Sequence, residues 1–279
     1  MARPRLITPG ELTARLDDAE LAVLEVAFMP DDGPFREGHV PRSRWAYWKD
    51  LLWHDTDREF ATPEVLARRL GALGITEQQT LVLVGDPIQF AAYAFWVLHM
   101  RGRPDLLVLD GGRAAWLAGG FPTEAGLPEV EAVAHAPFDL GDESSRIGRD
   151  GVLVAVTNGD RVILDLRSPE EYRGERVAPL TAPFDHGAER KGHIPGARHL
   201  YYEELLREDG GFRSTDELRR VFAGAGVRNG EAVITYCRLS HRAALGWFAL
   251  TQLLGHDDVK VYDGSWTEWG SIVGMPVER

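Results

Sequence analysis

The sequence predicts an α/β protein of two homologous domains, each a mostly parallel sheet flanked by helices. Three observations carry that reading. The chain repeats itself with a period of domain size; each copy alternates short apolar β-type runs with helical segments; and 279 residues suffice for two separate cores.

The repeat is read directly. Phe60-Ala61-Thr62-Pro63-Glu64-Val65-Leu66 matches Phe212-Arg213-Ser214-Thr215-Asp216-Glu217-Leu218 at an offset of 152, which also carries Leu70 to Phe222, Gly74 to Gly226 and Ile75 to Val227. Gly38-His39-Val40-Pro41 returns as Gly192-His193-Ile194-Pro195 at offset 154. Asp110-Gly111-Gly112 returns as Asp263-Gly264-Ser265 at offset 153, with Trp116 and Trp269 keeping that offset. No solenoid unit is this long, so the unit is a whole domain.

In the first copy, 21–26, 81–84 and 106–109 read as strands and 62–73 and 91–100 as helices, the former started by Thr62 with Pro63 in its first turn. In the second, 161–166, 232–236 and 259–262 read as strands. A helix begins at Ser214, where Ser214 and Glu217 form an S-x-x-E capping box, and another spans 242–254, ended by Gly255. Apolar strands spaced by helices imply parallel sheets covered on both faces. The expected boundaries are a first domain over 1–124, a linker over 125–145 and a second domain over 146–279. From Leu24 to Gly38 is 14 positions but from Leu164 to Gly192 is 28, so a stretch around 178–191 is inserted, and it is expected to wall a cleft.

Composition bounds the function. A hydrophobic share of 44%, a charged share of 27% and a net charge of −12 exclude a general nucleic-acid or membrane-surface binder, which needs a basic face. Met1-Ala2-Arg3-Pro4-Arg5 is followed by no apolar signal core, and the longest apolar run, 90–98, is too short to cross a bilayer; a cytoplasmic location is expected. One cysteine allows no internal disulfide, CxxC pair or cysteine-based zinc site.

That cysteine, Cys237, is the first residue past a buried strand and precedes Arg238, Leu239, Ser240, His241 and Arg242, after which an apolar helix begins. Ligands of open parallel sheets bind at the carboxyl ends of strands. A tight strand-to-helix turn gathers inward amides and the positive end of a helix. With Arg238, Arg242 and a chargeable His241 alongside, the loop is expected to favour thiolate, the nucleophilic form.

Cys237-Arg238-Leu239-Ser240-His241-Arg242 resembles the six-residue active-site loop of the rhodanese family. The stretches Asp165-Leu166-Arg167-Ser168-Pro169-Glu170-Glu171-Tyr172, Gly192-His193-Ile194-Pro195-Gly196-Ala197 and Asp263-Gly264-Ser265-Trp266-Thr267-Glu268-Trp269 look like its other signatures. The resemblance covers nearly the whole chain, in the tandem arrangement of thiosulfate sulfurtransferases. It implies two rhodanese-like domains, Cys237 as catalytic residue, and Arg238, Leu239, Ser240, His241 and Arg242 as substrate-binding residues. It also implies a cycle in which Cys237 takes the outer sulfur of thiosulfate as a persulfide and passes it to cyanide or a thiol, without metal or organic cofactor. Only the second domain is then catalytic: Asp86 stands in the place of Cys237, and Glu25-Val26-Ala27 replaces Asp165-Leu166-Arg167.

The sequence departs from the family pattern at two points: many family loops have glycine where this one has Ser240, and dedicated thiosulfate enzymes place a basic residue where this one has Leu239. Relatives using 3-mercaptopyruvate carry small neutral residues after the cysteine. The two arginines therefore favour a doubly charged inorganic donor, with mercaptopyruvate as the alternative. A sulfur carrier or interaction module that docks partners and turns over little thiosulfate is a second alternative. Cysteine phosphatases share the loop type but put five residues between Cys and Arg, whereas four separate Cys237 from Arg242, a ring better sized for sulfur. His186, His193 and His199 are spaced too irregularly for a metal site. Asp165 and Arg167 are expected to tie the strand end to its loops, Glu170 and Glu171 to lie on the surface, and Trp96, Trp116, Trp247 and Trp269 to pack in apolar interiors.

Overall fold

The computed structural model describes residues 5–138, 141–179 and 188–279. The chain divides into two compact units, Met1–Glu143 with Glu208–Gly211, and Ser144–Arg207 with Phe212–Arg279. The first contains β1 (Leu6–Ile7), β2 (Leu21–Ala27), β3 (Ser43–Tyr47), β4 (Thr80–Asp86) and β5 (Leu106–Leu109). They form one parallel five-stranded sheet in the order β1-β5-β4-β2-β3. The second contains β6 (Arg146–Ile147), β7 (Val162–Asp165), β8 (Arg198–His199), β9 (Val233–Tyr236) and β10 (Val259–Tyr262). Its sheet is also parallel and has the same order, β6-β10-β9-β7-β8. The duplication read in the sequence is thus a duplication of topology.

Why these segments form these elements follows from burial. Every residue of β2, β7 and β9 is buried, as expected of central strands covered on both faces. The helix Gln89–Met100 is apolar all round and is buried at every position but Gln89 and His99. By contrast, Thr215–Gly224 is amphipathic and buries only Leu218 and Phe222; Ser214 caps it with Glu217 in the reciprocal arrangement read from the sequence. The helix expected from 242 starts at His241, runs to Phe248 and continues through a single π-helical turn, Ala249–Leu253. Trp96, Trp116, Trp247 and Trp269 are all buried. The edge strands β1, β3, β6 and β8 had no counterpart in the sequence reading, and three of them have only two residues, too short for a periodic signal. Residues 125–138 form neither helix nor strand. They run along the first unit, with Val133 N–H donating to Gly71 O and His135 Nε2 2.7 Å from Arg103 Nη1. The inserted stretch 178–191 lies for its larger part, 180–187, outside the described residues.

The two sheets align strand by strand. Leu6, Val108, Leu83, Leu24 and Arg44 form one row across the first sheet, and Arg146, Val261, Thr235, Leu164 and Arg198 form the corresponding row across the second. Counting two residues onward from Leu83 and Thr235 places Gly85, not Asp86, in the position of Cys237, and Asp86 in that of Arg238. The register agrees with the offset of 152 that carries Phe60 to Phe212, so the pairing of Asp86 with Cys237, at an offset of 151, is off by one; β4 continues through Gly85 and Asp86 whereas β9 stops at Tyr236. A Cβ at Gly85 would meet Pro87 O at 2.6 Å and Ile88 Cα at 2.7 Å, so no side chain fits there without moving backbone.

Candidate active site

The connection after β7 runs to β8 on one side, and the chain then crosses to β9 on the other. The carboxyl ends of β7 and β9 therefore flank the switch point of the second sheet, where open α/β sheets bind ligands. Cys237 leaves β9 at that point.

The loop is fixed from one side by the segment after β10. Cys237 N–H donates to Ser265 Oγ at 3.2 Å, and Ser265 Oγ in turn donates to Tyr262 O at 2.8 Å. Cys237 O accepts from Trp266 N–H at 3.0 Å, and Arg238 O accepts from both Thr267 N–H and Thr267 Oγ1. In a trans peptide the C=O and the following N–H point opposite ways. With the carbonyls of Cys237 and Arg238 turned toward residues 265–267, the amides of Arg238 and Leu239 point to the other side. The first-turn amides of the helix His241–Phe248, which have no carbonyl partner within that helix, add to them. Ser240 makes the turn at φ +71°, in the left-handed region, which explains why glycine is common at this place in related loops. Its Oγ lies 3.0 Å from Asp263 O and 2.9 Å from Asp263 Oδ1, contacts that offset the strain.

Of the loop residues expected to bind substrate, Arg238 and Leu239 are half-buried, whereas Ser240, His241 and Arg242 are buried. Cys237 itself is 1% exposed. Arg242 differs most from expectation. Its Nη1 and Nη2 donate to Glu171 Oε2 at 2.7 Å and Oε1 at 3.0 Å, a two-pronged pair that consumes the face expected to bind a sulfonate. Burial opposes the charge on Arg242, yet the Glu171 hydrogen bonds and charge hold its pKa above the ordinary arginine value, and the Cys237 sulfur adds in the same direction. Burial likewise opposes the charge on Glu171, but Arg242 keeps its carboxyl below the usual range. Glu171 is fully buried, so its expected surface position is corrected. Its physical reason is the capping box with Ser168, in which Ser168 N–H donates to Glu171 Oε2 and Glu171 N–H to Ser168 Oγ. The S-x-x-E pattern at 168–171, the same one read at 214–217, is the signal that would have found it. Arg238 is pushed down to about 10, first by burial and then by repulsion from Arg242.

Asp165 and Arg167 form the expected tie at the end of β7. Arg167 is fully buried, donates to both Asp165 oxygens at 2.5–3.1 Å and to Gly192 O at 2.8 Å, and lies 4.5 Å from the Trp266 ring centre. Tyr236 Oη donates to Asp165 Oδ2 at 2.6 Å. His193 stacks on Tyr172 and His199 contacts Arg167 O, while His186 lies outside the described residues.

A parallel α/β unit that occurs twice in one chain, with a cysteine at the switch point of the second copy alone, is the arrangement of tandem sulfurtransferases. Residues 152–272 match the rhodanese-like domain model. Over 267 residues the chain is 39% identical to a protein of Haloferax volcanii named "putative thiosulfate sulfurtransferase", covering 94% of this chain and 90% of the relative. It is 37% identical over 279 residues to the sulfur carrier protein TtuD of Thermus thermophilus, covering 98% and 96%. Among solved structures, SseA of Escherichia coli, described as a 3-mercaptopyruvate sulfotransferase, superposes with a TM-score of 0.77 at 26% identity, covering 95% of this chain and all of that one. The chain belongs to the rhodanese family of sulfurtransferases. Among the described residues, no helix is long and apolar enough to cross a membrane.

Proposed function

We propose that the protein is a thiosulfate sulfurtransferase in which Cys237 carries the transferred sulfur. The Cys237 thiolate attacks the outer sulfur of thiosulfate, the S–S bond of the donor breaks with its electron pair leaving on sulfite, and a Cys237 persulfide remains. Cyanide or a thiolate then attacks the terminal sulfur, giving thiocyanate or a new persulfide and returning the thiolate. The observation that carries this reading is the position of Cys237 at the switch point, where the helix His241–Phe248 begins and the amides of Arg238 and Leu239 point away from residues 265–267. The anionic terminal sulfur would be held by those amides.

The roles of the two arginines divide. Arg238, half-buried at the rim, is assigned to the sulfonate of the donor. Arg242, locked to Glu171, is a positioning residue that keeps a fixed positive charge beside the sulfur. The first unit, with Gly85 in the cysteine position, is assigned no sulfur chemistry.

Incubation with thiosulfate should make the intact protein one sulfur atom heavier, and cyanide should reverse the change. Uptake of sulfur by Cys237→Ser would sink the assignment. A second reading, a sulfur carrier, is favoured by the 37% identity to TtuD across nearly the whole chain. Steady thiocyanate production supports the enzyme, whereas a single stoichiometric loading supports the carrier. Comparing kcat/KM for thiosulfate and 3-mercaptopyruvate on the purified protein decides between the donors.

A further inference from the structure

Arg238 O accepts two hydrogen bonds from one residue, Thr267 N–H at 3.2 Å and Thr267 Oγ1 at 2.9 Å. A carbonyl oxygen has two lone pairs, so the Arg238–Leu239 peptide is held from two directions. We propose that Thr267 is a positioning residue for sulfur transfer, which fixes the Leu239 amide where charge develops on the sulfur borne by Cys237. The inference rests on the sulfurtransferase reading and adds a residue to it.

Because a peptide is planar and trans, turning Arg238 O toward Thr267 turns Leu239 N–H the opposite way. In the transfer step the Cys237 thiolate takes the outer sulfur of thiosulfate, the S–S bond of the donor breaks, and sulfite leaves with the electron pair. One negative charge thus moves outward, from the cysteine sulfur to the terminal sulfur of the persulfide. An amide lowers the barrier to that displacement when it is already aimed as the charge arrives. Cys237 O is held by a backbone donor, Trp266 N–H, whereas at Arg238 O a side chain joins the backbone, so the residue type at 267 matters there. A hydroxyl has one proton, and Thr267 Oγ1 spends it on Arg238 O; Thr267 therefore acts through the peptide and not on the sulfur. The first copy supplies a comparison. Counting six residues onward from the paired Val108 and Val261 places Ala114 opposite Thr267, and it sets the left-handed Gly112 (φ +58°) opposite the left-handed Ser265 (φ +51°). The copy with Gly85 in the cysteine position has no hydroxyl at 114, whereas the copy with Cys237 has one at 267, bonded to the loop.

The test compares the full chain with Thr267→Val and Thr267→Ser. Thr267→Val keeps the shape and the N–H but removes the hydroxyl. Its kcat for transfer from thiosulfate to cyanide should fall about three- to tenfold, while KM for thiosulfate moves less than about twofold because Arg238 keeps its guanidinium. Thr267→Ser restores the hydroxyl and should recover at least about half of the wild-type kcat. A hydroxyl that served folding alone would lower the unfolding midpoint of Thr267→Val and leave kcat unchanged. That result, or a Thr267→Ser no more active than Thr267→Val, would overturn the assignment. Uptake of sulfur by the wild type tests the sulfurtransferase reading by itself. If the wild type takes up none, alkylation of Cys237 by iodoacetamide at pH 7 decides instead, and Cys237 is the only cysteine to report. The same amides stabilise a thiolate, so Thr267→Val should then react about threefold or more slowly, and equal rates would overturn the proposal. Should Thr267→Val fail to fold, Thr267→Ala, which installs the side chain found in the first copy, takes its place.

Discussion

Ser240 holds a left-handed conformation that costs a non-glycine residue about 1 kcal/mol, and it is kept there by its contacts with Asp263. Two substitutions separate these effects. Ser240→Ala keeps the strain and loses the hydroxyl contacts, so it should destabilise the chain by about 2 kcal/mol. Ser240→Gly loses the same contacts but relieves the strain, and should recover about half of that. Denaturant unfolding of the two variants checks both terms: alanine as stable as glycine would mean that the turn is unstrained, and alanine as stable as the wild type would mean that Asp263 does not hold it. The place of Cys237 just past β9 was legible because the apolar run 232–236 marks the strand. Arg242 was legible as a cation near sulfur but not as one half of an ion pair. Its partner lies 71 residues away in sequence, and isolated carboxylates are by default read as solvated.

At the scale of elements, the pair Glu171–Arg242 joins the short helix Pro169–Tyr172 to the start of His241–Phe248, the two segments that follow β7 and β9. Removing one partner of a buried pair leaves the other uncompensated, so Glu171→Gln should cost about 3 kcal/mol of stability. If Arg242 is held for catalysis as well as for folding, the variant should also lower kcat for sulfur transfer at saturating thiosulfate, while KM moves less. Unfolding curves and steady-state kinetics on the same preparation separate the two effects, and an unchanged kcat would restrict the pair to a structural role. Helix starts at Thr62 and Ser214 were readable because capping has a local code. The π-helical turn at Ala249–Leu253 and the two-residue edge strands have no such code; packing decides them.

At the scale of the whole molecule, the duplication was visible because signature residues survive in both copies, and the shared strand order follows from it. The two copies diverge in electrostatics. In the second, the carboxylate at the end of the strand is Asp165, neutralised by Arg167; in the first it is Glu25, with Arg113 only at 3.5 Å. Glu25 ionises near 4.5 in an ordinary setting but near 7 in the folded chain, so between those values the unfolded chain binds fewer protons and stability falls as pH rises. Thermal unfolding from about pH 4.5 to 7.5 should show the wild type losing ground to Glu25→Gln across that window; a constant difference would mean that Glu25 ionises normally. The missing Cβ at Gly85 bears on engineering. With carbonyls and a helix start packed against that backbone, as is Gly85 O against Gly112, planting a thiol there would jam the turn rather than create a second reactive centre. A cysteine in the amino-terminal half would need Pro87–Ile88 rebuilt first.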